Sequence, residues 1–125
     1  MKLIIYGQQP SLKNSKEQAF NKKTGHFFPV NNPEVKQYIE DFDKQILGNQ
    51  RKELDGDLSL VGIIYYRSNR SDLSEELLMD CLEKSKVIIN DRRIVHKNIY
   101  KKIDKNNPRV EIEINQLEDY QLRSE

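Results

Sequence analysis

The residues best equipped for chemistry lie between Asn69 and Asp91, in the stretch N-R-S-D-L-S-E-E-L-L-M-D-C-L-E-K-S-K-V-I-I-N-D. Asp72, Glu76 and Asp80 follow one another at intervals of four, so on a helix they line one edge. Leu77, Leu78, Cys81 and Leu82 fall on the other side and can bury it. Carboxylates crowded on one edge repel one another unless solvent or a cation relieves them. Arg70 precedes them, and an apolar run then leads through Asn90 to Asp91 and a basic stretch. A cluster of carboxylates in a basic field suits metal-assisted cleavage of a phosphodiester.

Each of these residues also has a plainer role open to it. Asp72 can cap a helix, and Glu76 can be a solvated helix residue. Asp80 can pair with Lys84 four residues on, and Asp91 can be a turn residue. The apolar approach Val87–Ile89 favours a positioned carboxylate at Asp91.

The elements that must position these groups can be read from periodicity. Residues 2–7 form a first strand, which is also why Met1-Lys2-Leu3-Ile4-Ile5 does not read as a secretory leader. Residues 8–32 form a long polar loop, and loops of that length are usually functional or disordered. Asn32 and Pro33 open a helix carrying Val35, Tyr38, Ile39, Phe42, Ile46 and Leu47 at helical spacing, stopped at Gly48 or Asn49. Leu58–Tyr66 is nearly continuous in apolar residues and reads as a central strand, with Gly62 marking a bulge or a close backbone approach. The acidic helix runs from Leu73 to about Lys84, with Ser71 or Asp72 as its cap. Ile94–Ile103 and Arg109–Ile114 read as two strands of a hairpin joined through Lys105-Asn106-Asn107-Pro108. These elements predict a small α/β domain of α+β character: a mixed sheet of about four strands with two main helices. Residues 1–125 form a single domain in this reading, with 115–125 a surface tail.

Composition fits that size. The chain has 125 residues, 36% hydrophobic and 33% charged, with no apolar run long enough to span a membrane. Cys81 is the single cysteine, expected as a buried thiol in a reducing cytoplasm. The net charge of +1 conceals segregation: residues 84–109 hold nine Lys or Arg against Asp91 and Asp104. Arg92, Arg93, Lys97, Lys101, Lys102 and Lys105 are therefore candidate contacts to a nucleic-acid backbone. Lys13, Asn14, Ser15 and Lys16 supply further donors suited to phosphate, without the glycine spacing of a nucleotide-binding loop. Phe27 and Phe28 can stack on unpaired bases or pack the long loop onto the core. His26 and His96 lack metal-ligand spacing and read as surface residues, His96 a candidate phosphate contact.

Three pieces in order carry a family resemblance: G-Q-Q-P-S-L-K-N-S-K at residues 7–16, the acidic helix with its Asn-Asp pair at 71–94, and Asn107-Pro108-Arg109-Val110-Glu111-Ile112. Across residues 2–114 the chain resembles the RusA-like endonucleases, small Holliday-junction resolvases of prophages and bacteriophages. The resemblance implies a homodimer that hydrolyses branched DNA with Mg2+, or Mn2+ in its place, in a bacterial or phage-infected cytoplasm. Laid along this chain, the family's aspartates fall on Asp72, Asp80 and Asp91. Arg70 stands where the family has its first motif aspartate, and Glu76 where it has a lysine.

The resulting expectation is a site of Asp72, Asp91, Glu76 and Asp80, with Asp72, Asp91 and Glu76 as metal ligands. It requires residues 85–91 to bring the chain back beside the helix, so that Glu76 can stand in for the carboxylate absent at Arg70. Lys13, Asn14, Ser15, Lys16, Arg70, Arg92, Arg93, Lys97, Lys101 and Lys102 would contact DNA. Arg70, Lys13, Lys16 or Arg92 could replace the absent lysine. Two other functions fit the same residues: a catalytically silent DNA-binding protein of this fold, and a small α/β protein-interaction module.

Overall fold

Among the described residues the β-branched and aromatic runs form six strands, and two amphipathic stretches form helices. In order these are β1 (Lys2–Tyr6), β2 (Gln18–Asn21), β3 (His26–Pro29), α1 (Pro33–Gln45), β4 (Leu58–Tyr66), α2 (Glu75–Lys84), β5 (Ile94–Ile103) and β6 (Arg109–Gln116). The computed structural model describes residues 1–10, 18–21, 26–29, 33–69, 73 and 75–118, with side chains omitted for 18–21 and 26–29. The helix caps expected at Asn32, Ser71 and Asp72 lie outside the described residues.

One mixed sheet has the order β1–β6–β4–β5, and β2 pairs with β3 as a separate antiparallel ribbon within the expected long loop. The observed fold is thus the small α+β domain anticipated, with a four-stranded sheet and two helices. The hairpin expected between the last two strands does not form. β5 pairs parallel to β4, β6 pairs antiparallel to β4 on its other side, and the connection passes over the end of β4. There the amide of Asp104 donates to the carbonyl of Tyr66 at 2.8 Å. The turn chemistry of residues 105–108 reverses the chain, but a turn does not choose the strand's partner.

Strand alternation sends one set of side chains to the helices. Leu3 and Ile5 of β1, Leu58, Leu60, Ile64 and Tyr66 of β4, and Val110, Ile112 and Ile114 of β6 are buried there. They meet Tyr38 and Phe42 of α1 and Leu77, Leu78, Cys81 and Leu82 of α2 in one core. Leu47, expected on the apolar stripe of α1, lies beyond the helix end and is exposed. Gly62 permits the close approach of β4 to β6: a Cβ there would lie 2.7 Å from the Cα of Ile112 and nearer still to the carbonyl of Glu111.

α2 is the crossover between parallel β4 and β5, so its two ends serve opposite ends of the sheet. It ends at Lys84 and is closed off by Lys86, whose φ of 64° lies in the left-handed region. The amide of Val87 donates to the carbonyl of Leu82 at 3.0 Å and that of Lys86 to Glu83 at 3.1 Å, a Schellman ending. Val87 and Ile88 are then buried as the chain pairs beside Leu54. Asn90 caps the 3-10 turn Asp91–Arg93 by accepting from the amide of Arg92 at 2.9 Å.

Candidate active site and nucleic-acid interface

Glu75 and Glu76 form the acidic first turn of α2, with Glu76 exposed. Asp72 and Arg70, just upstream, lie outside the described residues, as do Lys13, Asn14, Ser15 and Lys16. Asp80 pairs with Lys84 at 3.1 Å, the helix-surface partner open to it from the sequence. Asp91 is exposed and lies beyond the far end of the helix, its amide donating to Glu83 Oε1 at 2.9 Å. From Glu76 to Glu83 the helix rises about 10 Å, or two turns. Residues 85–91 run alongside Glu53 and Leu54 rather than back along the helix. The return that would bring Asp91 beside Glu76 therefore does not occur within one chain. Among the described residues no group of three or more His, Cys, Asp or Glu could hold a metal ion. These residues by themselves do not make a closed cation site.

The basic residues divide between places. Lys97 and Lys101 lie beside Leu60 and Ile64 on the helix-facing side of β5, whereas Lys102 pairs beside Tyr65 on the other side. Lys97 Nζ is 2.8 Å from Glu75 Oε2, which joins β5 to the first turn of α2. Arg92 and Arg93 sit at the opposite end with Asp91, and Arg93 pairs with Asp55 at 2.8 Å. Arg92 is thus remote from the first turn of α2 within one chain. His96 is exposed and its Nδ1 lies 2.8 Å from Ser59 Oγ. Phe27, Phe28 and His26 have no described side chains.

Two arrangements escape sequence reasoning. One is the Lys97–Glu75 contact, which depends on how β5 lies against α2. The other centres on Arg109, which bonds Asp104 and Glu111 at 2.7 Å each and lies 3.8 Å over the Tyr65 ring. The spacing Asp104, Arg109, Glu111 hints at it, but the Tyr65 contact needs the β4–β6 register. The hydrogen bond from Arg109 holds the carboxyl of Asp104 below its usual range. Cys81 is buried as expected, and desolvation pushes its thiol up to about 12, so it is a core residue rather than a nucleophile. A cavity of about 530 Å³ opens between the end of β1 and α1, walled by Gln8, Gln37, Tyr38, Asp41 and Arg67. None of the residues expected in the site lines it.

The domain thus sets a carboxylate-bearing crossover helix, α2, beside the lysine-rich strand β5. The profile described as Endodeoxyribonuclease RusA matches residues 9–115 of this chain. The chain belongs to the RusA endodeoxyribonuclease family, and the match covers both helices and the β4, β5 and β6 strands of the sheet but not β1. No curated protein matches it. Among the described residues no helix is long and apolar enough to cross a membrane.

Proposed function

We propose that this protein is a magnesium-dependent endonuclease acting on four-way junctions or related branched DNA as a homodimer, with manganese able to replace magnesium. Family membership carries the reading, and the acidic first turn of α2 beside β5 supports it. The separation of Glu76 from Asp91 favours a site shared between copies. A two-fold pair with antiparallel α2 helices brings Asp72 and Glu76 of one copy toward Asp91 of the other. These three residues supply the oxygen atoms that magnesium prefers. When bound, the cation polarises a phosphate oxygen and lowers the pKa of a water.

The remaining residues work on the DNA and on the local field. Asp80, tied to Lys84, shapes the field without binding the cation. Arg70, Arg92, Arg93, Lys101, Lys102 and the stretch Lys13, Asn14, Ser15 and Lys16 hold phosphates, which fixes the position of DNA without reading its sequence. Such work belongs in a bacterial or phage-infected cytoplasm.

The test is cleavage of a synthetic four-way junction by purified protein. Paired nicks with magnesium, absent with a chelator and absent in Asp91→Asn, are expected. Tight, salt-dependent junction binding without any cleavage would replace this reading with the silent DNA-binding protein, which the Arg70 and Glu76 departures favour.

A further inference from the structure

We propose that Lys97 is the residue that meets the phosphate under attack, and that Glu75 is the positioning residue that holds its ammonium in place. The proposal rests on the endonuclease reading above and names a specific cation within it. Lys97 pairs in register with Leu60, a fully buried residue on the helix-facing side of β4. Strand alternation therefore sends its side chain toward α2 instead of toward the open face of the sheet. It ends on the first residue of that helix, 2.8 Å from Glu75 Oε2.

The pair is partly withdrawn from water. The side chains of Lys97 and Glu75 are 36% and 26% exposed, against 54% and 45% for the Lys84–Asp80 pair on the outer surface. An ion pair less open to solvent is screened less and holds a more defined geometry. Glu75 is the immediate neighbour of Glu76 and follows Asp72 by three residues. The ammonium therefore offsets the charge of Glu75 in the acidic first turn of α2, which also carries Glu76. An ammonium has three donors, and one bond to Glu75 leaves two for phosphate oxygens. Lys97 acts by donating hydrogen bonds to oxygens on which charge develops.

Arg92 and Arg93 cannot take this part in the same chain, because they sit beyond the other end of α2. Lys102 leaves the sheet on its other side. A plain structural tie between strand and helix would use the same contact, so the test must separate the two roles.

Lys97→Met, Lys97→Arg, Glu75→Gln and Lys102→Met are compared for junction Kd, salt dependence, single-turnover cleavage and thermal melting. Lys97→Met should slow single-turnover cleavage roughly 100-fold while changing Kd far less. Lys97→Arg should recover much of the rate, and Glu75→Gln should fall between. Lys102→Met should instead weaken binding and reduce the slope of log K against log salt by about 0.9. Cleavage by Lys97→Met at the wild-type rate would overturn the proposal while leaving the endonuclease reading intact. So would a rate loss that tracks melting temperature across the three variants at 97 and 75. A wild-type protein that cleaves no junction would overturn both. Should Lys97→Met fail to fold, Lys97→Arg and Glu75→Gln carry the same comparison.

Discussion

The backbone amide of Asp91 donates to the Glu83 carboxylate at 2.9 Å, which fixes Asp91 at the end of α2 remote from Glu76. If cleavage needs Asp72 and Asp91 together, the two must come from different copies. Asp72→Asn and Asp91→Asn should each be inactive alone. Refolded as an equal mixture, half the dimers carry both variants, and each of these has one intact site of two. Nicking should return to about one-quarter of the wild-type level. An inactive mixture whose heterodimers are shown to form would place both residues in one chain's site.

Gly62 faces the β6 backbone at Glu111 and Ile112 as well as the Ile112 side chain, and the backbone cannot give way as a side chain can. Gly62→Ala should therefore force β4 and β6 apart and cost about 1–3 kcal/mol in urea unfolding. A methyl group added at Gly48 would meet no atom within 4 Å, so Gly48→Ala is the matched comparison and should change stability little. Equal effects at both positions would show that the close approach is not limiting.

Lys86 holds a left-handed conformation, with φ at 64°, in the ending of α2. A lysine there carries a Cβ penalty that glycine avoids, and its exposed side chain gives little back. Lys86→Gly should raise stability by about 0.5–1 kcal/mol, read as a higher melting temperature. A lower melting temperature would mean that the side chain of Lys86 contributes more than the strained backbone costs.

Asp104 illustrates a pH dependence with a definite sign. The hydrogen bond from Arg109 lowers its folded pKa below the ordinary 3.8. A depressed carboxyl stabilises the fold above its unfolded pKa, and that stabilisation is lost as pH falls through the folded value. Asp104→Asn should melt below wild type at about pH 6, and the gap should narrow as pH falls below the ordinary 3.8 toward the depressed folded value. A gap independent of pH would assign the effect to packing around Tyr65 and Arg109.

Local chemistry makes some elements legible from the sequence alone. Leu58–Tyr66 and Ile94–Ile103 are observed at the expected bounds, because runs rich in β-branched residues suit a pleated surface. The buried side of α2 is equally plain from Leu77, Leu78, Cys81 and Leu82. Pairing is not. Asn106-Asn107-Pro108 marks a reversal but carries no record that β4 lies between the strands it joins. The ribbon β2–β3 reads as loop because each strand is only four residues long. Asp91 lies apart from Glu76 for a related reason. Helical spacing places Glu76 and Asp80 relative to one another, whereas Asp91 depends on the path after Lys86. The contact between Lys97 and Glu75 needs the packing of a strand against a helix, and no sequence period encodes it.

The first strand and the last are neighbours. β1 hydrogen-bonds only to β6 in the sheet, and the ammonium of Met1 donates to the carbonyl of Ile114 at 2.8 Å. During synthesis, then, β1 is made before β6 and must wait through more than a hundred residues for this partner. The unit β4–α2–β5 can assemble on the ribosome, but its β4 edge stays open until β6 leaves the exit tunnel. An exposed strand edge held open for that interval invites pairing with another nascent chain. The order of strands thus keeps one edge of β4 unpaired until residues 109–116 have been made, and leaves β1 and β5 as the edges of the finished sheet.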